Sequence, residues 1–199
     1  MIYHLRPGFE HLIFRLIGRR LLRRRLKSFG EGSFVSPFTE ILGIEHISVG
    51  RNVHICHDTR LLALEHYAGV QHASPPSLSI GDGTFIGHWC VLSCMNSIRI
   101  GSEVTLGDNV YVADSSHGFE NVHEHIMKQP LVKGSITIGD RAWLGKNAVV
   151  THNLTIGENA IVGANSFVNR DVPPFTMVAG SPAVPIKRYD FDRAGWVSI

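Results

Sequence analysis

No stretch of this 199-residue sequence approaches the ~18 consecutive apolar residues of a membrane-crossing helix, so none is expected. Cysteine is scarce as well. Three residues, Cys56, Cys90 and Cys94, do not make a disulfide framework. Aromatic side chains are only 9% of the chain while glycines number 20, a balance that suits a thin core with many corners. Acid is nearly missing from residues 1–28, which hold eight Lys/Arg and a single carboxylate, Glu10. The remainder holds eleven basic and sixteen acidic residues, so the formal net charge of +2 hides a basic element on an acidic body. That asymmetry argues against a general nucleic-acid binder. The length suits one domain plus an extension, with enough chain for a real core. Arg15 cuts the first apolar stretch, which argues against a signal peptide and makes the cytoplasm the expected compartment.

What is present is a period. From Ile138 to Asp171 aliphatic residues recur at Ile138, Leu144, Val150, Ile156, Val162 and Val168, six apart each time. Neither the strand period of two nor the helix period of 3.6 produces a strict six, but a structural repeat does. Three positions later stand Asn147, Asn153, Asn159, Asn165 and Asp171, with Arg141 as the exception. Asn and Asp tolerate the left-handed backbone of tight corners. Four positions later stand Ala142, Ala148, Leu154, Ala160, Ser166 and Val172, which predicts small or aliphatic side chains facing inward. Each hexad reads as a short rung and a corner, and three rungs make one triangular turn of a solenoid.

Carried backward, the phase gives turns at Val35/Ile41/Ile47, Val49/Ile55/Leu61, Ile80/Ile86/Leu92 and Ile100/Leu106/Val112. Cys90 takes a small inward position, so burial is the expected fate of its thiol. The phase breaks twice, by 13 residues before Ile80 and by 20 before Ile138. Two loops are therefore expected to project, at 62–79 and 113–135, and long loops on a rigid scaffold commonly carry function. The expected organisation is a helical extension over 1–30, a solenoid over 31–182 and a tail over 183–199.

The extension has its own pattern. Phe9, Leu12, Ile13, Leu16 and Ile17 fall on one helical face, with Arg15, Arg19 and Arg23 in a row on another. The helix is expected to start after Pro7-Gly8 and to end at Gly30 and Gly32. It suits packing on the solenoid end or on a neighbouring subunit, or contact with anionic lipid headgroups.

Crossovers between parallel strands are nearly always right-handed, and the period alone does not set the hand of this coil. The hexads resemble the [LIV]-[Gly/Ala]-x-x-[small]-x repeat of hexapeptide-repeat acyltransferases. The resemblance covers about 35–187 and implies an all-β, left-handed parallel β-helix, an exception to that rule.

The second loop concentrates titratable groups: Asp114, His117, Glu120, His123, Glu124 and His125. His117 stands where the chain leaves the coil, so the scaffold fixes its base while its ring faces the loop. A histidine of ordinary pKa can take a proton from an alcohol at neutral pH. Asp114 or Glu120 could hold its tautomer through the other ring nitrogen, and the sequence does not choose between them. The loop resembles the sugar O-acetyltransferases of bacterial polysaccharide synthesis, of the colanic-acid and O-antigen type, relatives of galactoside and maltose acetyltransferases. The matching residues are Asp114-Ser115-Ser116-His117-Gly118, Gln129-Pro130-Leu131 and Ile138 to Gly145. The resemblance implies that His117 is the general base, deprotonating a sugar hydroxyl that attacks the acetyl-CoA thioester directly. Cys90 and Cys94 match no nucleophile motif.

The same resemblance implies coenzyme A contacts at Lys146, Ala164, Asn169, Arg170 and Lys187, with Trp143 walling the cleft and Arg188 as a further phosphate contact. A trimer is implied too, with the coenzyme between subunits. Val184 stands where a cation is common in the family, so part of the phosphate clamp is missing or moved to Arg188. The residues that bind sugar in galactoside acetyltransferase fall near Gly87 and Met95, which cannot replace them. Acceptor candidates are therefore Glu65, His66 and Tyr67 of the first loop, with Gln71, and Phe85.

Three rivals follow from the same residues. An N-acetyltransferase acting on an amino sugar would use the same base. A zinc enzyme of the γ-carbonic-anhydrase kind would need a His-x4-His pair, whereas the gaps here are His117-x5-His123 and His123-x-His125. No metal is expected. A non-catalytic solenoid docking through residues 1–28 would dispense with His117 altogether.

Overall fold

The computed structural model describes residues 19–67, 70–71 and 74–199. It is a triangular solenoid with three parallel sheets as faces. The first face stacks Ser28–Phe29, Ile47–Val49, Ser77–Ile80, Ser97–Ile100, Ser135–Ile138 and Leu154–Ile156. The second begins Phe34–Val35, His54–Ile55, Phe85–Ile86, Thr105–Leu106, Trp143–Leu144 and Ile161–Val162. The third holds Glu40–Leu42, Arg60–Ala63, Val91–Cys94, Tyr111–Ala113, Val149–Thr151 and Phe167–Val168. The fold is the left-handed β-helix of the hexapeptide repeats.

The period acts through register. Val35, Ile55, Ile86, Leu106, Leu144, Val162 and Val178 pair in one inward column of the second face. From Ile55 to Val178 the column is at most 3% exposed. Ala142, Ala148, Leu154, Ala160, Ser166 and Val172 are all buried, as the hexads predict. Ser33, Thr59, Thr84 and Cys90 take such positions, and each donates to the next coil's corner glycine: Ser33 to Gly50 O, Thr59 to Gly87 O, Thr84 to Gly101 O and Cys90 to Gly107 O. Those bonds remove the cost of burying a polar group.

Corners differ from the hexad reading. Positive φ occurs at Asn52, Asn109, Asn147, Asn159 and Asn165, but also at Arg141 (58°), Trp89 (57°) and Glu103 (57°). These residues fill the first–second and second–third corners. At the third–first corner Asn153 and Asp171 accept backbone N–H groups instead, from Ser135 and Thr155. Asn and Asp thus solve two problems: left-handed backbone at the first two corners, and orphan amides at all three, since Asp82, Asp140 and Asp108 accept from Arg51, Ser102 and His88 N–H at the other two.

The first turn is Phe29/Val35/Ile41 rather than Val35/Ile41/Ile47, because Ser28–Phe29 already pairs with Ser48 and Val49. The turn Ile44–His46 supplies the shift before the next coil. Gly30 lies inside this first coil, where a Cβ would strike Gly50, so close stacking rather than helix termination requires it. The described helix, Arg19–Arg25, is capped onto the coil by Leu22 and by Leu26, which is 6% exposed. The expected apolar face from Phe9 to Ile17, with Arg15, lies outside the described residues.

Both loops are shorter than the phase implied, since strands run to Ala63 and Ala113 and resume at Ser77 and Ser135. His66–Tyr67 and Val70–Gln71 form a hairpin in the first. The tail is ordered: Ala183–Asp190 pairs antiparallel with Thr176–Gly180 and with Gly195–Ser198, extending the second face.

Candidate active site

Two antiparallel strands, Ser115–His117 and Leu131–Lys133, lift the second loop off the third face, with His117 opposite Leu131. Gly118 N–H donates to Pro130 O at 3.1 Å. A Cβ on Gly118 would sit 2.5 Å from that oxygen, so glycine is what lets the strands close beside His117. Gln129, only 5% exposed, ties the rest of the loop. Its Nε2 donates to Asn121 O and Glu124 O, and its Oε1 accepts from Asn121 N–H. The Gln-Pro-Leu motif therefore braces the loop that carries His117.

Between this hairpin and the coil lies a cleft of about 550 Å³. His117, Ser116, His152 and Tyr111 line its polar side, and Leu64, Met95 and Phe119 are among its apolar walls. Ser116 Oγ lies 3.1 Å from His152 Nε2. The hexads gave no hint of His152; its signal was a histidine beside the corner Asn153, in the coil that follows the second loop.

Asp114 does not serve as the sequence suggested. It is fully buried, and both carboxylate oxygens are occupied by the coil: Oδ1 accepts from Met95 N–H, and Oδ2 from Asn96 and Ser97 N–H, at 2.7–2.8 Å. This is the third–first corner task of Asn153 and Asp171. A carboxylate there satisfies three amides that would otherwise face a closed corner. Glu120 is exposed in the loop and does not line the cleft. His123 and His125 are exposed too, and His125 Nδ1 accepts from Met127 N–H to cap a short turn. Among the described residues no cluster of three metal-binding side chains forms.

The thiols are buried and inert. Burial pushes Cys90 up to about 11 and Cys94 up to about 12. Cys56 is raised by the same cause.

The other named residues lie elsewhere. Trp143 is 52% exposed on the second face, in an outward column with Phe34, His54, Phe85 and Thr105. Phe85 thus stacks on His54, at 5.6 Å between centroids, and not in the His117 cleft. Trp143 also walls a second hollow of about 520 Å³, with Arg141, Asn159, Ile161 and the aromatic rings of Phe175, Tyr189 and Trp196. Lys146 and Ala164 stack at the second–third corner, where a Cβ on Gly145 would meet Ala164 N at 2.6 Å. Lys146 Nζ is 3.9 Å from Asp108 Oδ2. Asn169 and Arg170 are exposed past the last rung of the third face, and Lys187 and Arg188 lie on the terminal hairpin. Glu65 Oε1 lies 2.7 Å from His46 Nε2, which ties the first loop to the coil, and His66 is exposed. Within one chain His117 and the residues of the expected coenzyme shelf are therefore on different faces.

The comparisons agree with this architecture. Residues 135–170 match the family described as bacterial transferase hexapeptide (six repeats), and residues 77–113 match the hexapeptide repeat of succinyl-transferase. The chain is 31% identical over 123 residues to WbbJ of Escherichia coli K12, whose name assigns it to lipopolysaccharide biosynthesis O-acetyl transfer. It is also 31% identical over 115 residues to a protein of Schizosaccharomyces pombe named as an acetyltransferase. The matches cover 58% and 57% of this chain, and 62% and 54% of those relatives' length. Among solved structures it is similar to AntD, an N-acyltransferase from Bacillus cereus crystallised with dTDP and 3-hydroxybutyryl-CoA. The TM-score is 0.73 at 18% identity, over 88% of this chain and 90% of that one. A hexapeptide-repeat acetyltransferase of Vibrio cholerae, crystallised with acetyl coenzyme A, gives a TM-score of 0.62 at 26% identity. That match covers 86% of this chain and 75% of that one.

Proposed function

We propose that this protein transfers an acetyl group from acetyl-CoA to a hydroxyl of a saccharide in bacterial surface polysaccharide synthesis, with His117 as general base. The observation that carries the reading is His117 itself, braced by Gly118 and Gln129 at the mouth of a cleft on the third face. The relatives named for O-acetyl transfer and crystallised with acetyl coenzyme A support the donor.

The chemistry follows from the cleft. The imidazole takes the acceptor's proton as the hydroxyl oxygen bonds to the thioester carbon. The carbon–sulfur bond then breaks, and the imidazolium returns the proton to the departing sulfur. No enzyme nucleophile is needed, which suits thiols held protonated by burial.

We also propose a homotrimer. The outward column of the first face is Ser48, Ser79, Arg99, Thr137 and Thr155, whereas the second face shows Phe34, His54, Phe85 and Trp143. A polar face suits water and an aromatic face suits a neighbouring copy. Such packing would carry one copy's Trp143, Lys146, Ala164, Asn169, Arg170, Lys187 and Arg188 towards another copy's His117. Glu65, His66, Tyr67 and Phe85 would then face the acceptor. Residues 1–28 are proposed to hold this cytoplasmic enzyme at the inner membrane surface through their basic side chains.

Isothermal titration with acetyl-CoA, followed by coenzyme A release in the presence of nucleotide-sugars and oligosaccharides, tests the reading. Saturable binding and release dependent on one saccharide class are expected. Absence of acetyl-CoA binding removes the enzyme. Equal sedimentation with anionic vesicles, with and without residues 1–28, removes the membrane contact.

A further inference from the structure

The proposed transfer leaves one requirement unmet. As the hydroxyl adds, the thioester oxygen gains negative charge, and a donor must be waiting where that oxygen will lie. Several hydroxyls line the His117 cleft, among them Ser93, Tyr111, Ser116 and Thr151. Ser116 differs from the other three: its Oγ is 3.1 Å from His152 Nε2, in the same cleft as His117.

His152 is placed by the scaffold. It follows the third-face strand Val149–Thr151, and its N–H donates to Ala113 O at 3.0 Å. Its φ of 71° puts it in the left-handed region, as at other corner residues of the coil. The coil therefore holds an imidazole in a fixed place, aimed at a serine on the loop.

We propose that Ser116 is the donor to the thioester oxygen and that His152 is its positioning residue. This rests on the acyl-transfer reading above. With its proton on Nε2, His152 donates to Ser116 Oγ, which turns the serine's own O–H into the cleft. The two bonds in series polarise each other. The acceptor O–H breaks and its proton goes to His117; the new C–O bond forms while the carbonyl electrons move to oxygen, against the Ser116 hydroxyl. Collapse breaks C–S, and sulfur takes the proton from His117. Ser116 and His152 keep their protons throughout, and no acyl-serine forms.

The test is steady-state kinetics of S116A, S116T, H152Q and H152L beside wild type and H117A, using acetyl-CoA and the saccharide that wild type acetylates fastest. S116A is expected to lose about 10²-fold in kcat, the usual cost of one such donor, with KM for acetyl-CoA within ~twofold. S116T keeps the hydroxyl and should recover most of the rate. H152Q offers an amide N–H in place of Nε2–H and should lie within ~tenfold of wild type, while H152L falls with S116A. The double variant S116A/H152L should be no slower than S116A, since the two act as one unit. Three results overturn the proposal: wild-type kcat in S116A, a change confined to KM, or an acetylated Ser116 in rapidly quenched wild type. A wild type that transfers, dies with H117A and ignores S116A removes this inference alone. A wild type that neither binds acetyl-CoA nor releases coenzyme A removes the acyl-transfer reading and this inference together.

Discussion

Replacing Asp114 separates a structural carboxylate from a catalytic one. The side chain is fully buried and accepts three backbone N–H bonds, from Met95, Asn96 and Ser97. Asp114→Ala removes all three acceptors at once. The Met95 amide belongs to a buried residue and has little access to water, so its loss should cost about 1–3 kcal/mol. Asn96 is exposed and Ser97 half-buried, so their amides can partly rehydrate, at about 0.5–1 kcal/mol each. The sum is about 2–5 kcal/mol, which for a chain of this length lowers Tm by roughly 4–20 °C. Asp114→Asn should fall between. Its one remaining oxygen can serve the two donors on the Oδ2 side, leaving its NH2 against Met95 N–H. Thermal melts by circular dichroism supply the readout, with kcat measured well below each Tm. The account expects a large loss of Tm in the alanine variant, a smaller one in the asparagine variant, and kcat in Asp114→Asn within a few-fold of wild type. An unchanged Tm with kcat collapsed by orders of magnitude would refute it, because Asp114 would then act on the chemistry.

Two further outcomes follow from the core. Leu106 is completely buried in the inward column of the second face, and Leu106→Ala should destabilise by about 2–5 kcal/mol in urea unfolding. The thiols give a pH signature. Their folded-state pKa values, about 11 for Cys90 and about 12 for Cys94, lie above the ordinary thiol value. The stability they contribute is whole below that ordinary value and is lost as pH rises from there towards 11–12. Native protein at pH 8 should therefore resist a thiol reagent that labels all three cysteines once unfolded, and Cys90→Ser with Cys94→Ser should flatten part of the alkaline loss of Tm.

The coil was legible because its signal is arithmetic. A six-residue period fixes which side chains point inward, and the phase breaks measured the two loops to within a few residues. The first turn was misplaced by six residues because Phe29 precedes two glycines that resemble a helix end, whereas Gly30 is demanded by the backbone of Gly50. The corners were half read. Asn marks left-handed backbone at the first two corners but not at Asn153, and register forces Arg141, Trp89 and Glu103 into the same conformation where no propensity announces it. The site was less legible than the scaffold. His117 was singled out by its place at the coil's edge, and the structure lines the third-face cleft with it. Asp114 misled, since an acid near a histidine in sequence looks like a partner, and only the fold reveals three amides already holding it. Ser116 and His152 are 36 residues apart and meet only because the loop folds back on the next coil.

The central claim is tested most directly by coenzyme A release from acetyl-CoA in the presence of the acetylated saccharide, comparing His117→Ala with wild type at equal fold and oligomeric state. Loss of a general base predicts a fall of about 10²–10⁴ in kcat, with acetyl-CoA binding retained by calorimetry. A His117→Ala protein that transfers acetyl groups at the wild-type rate would contradict the account.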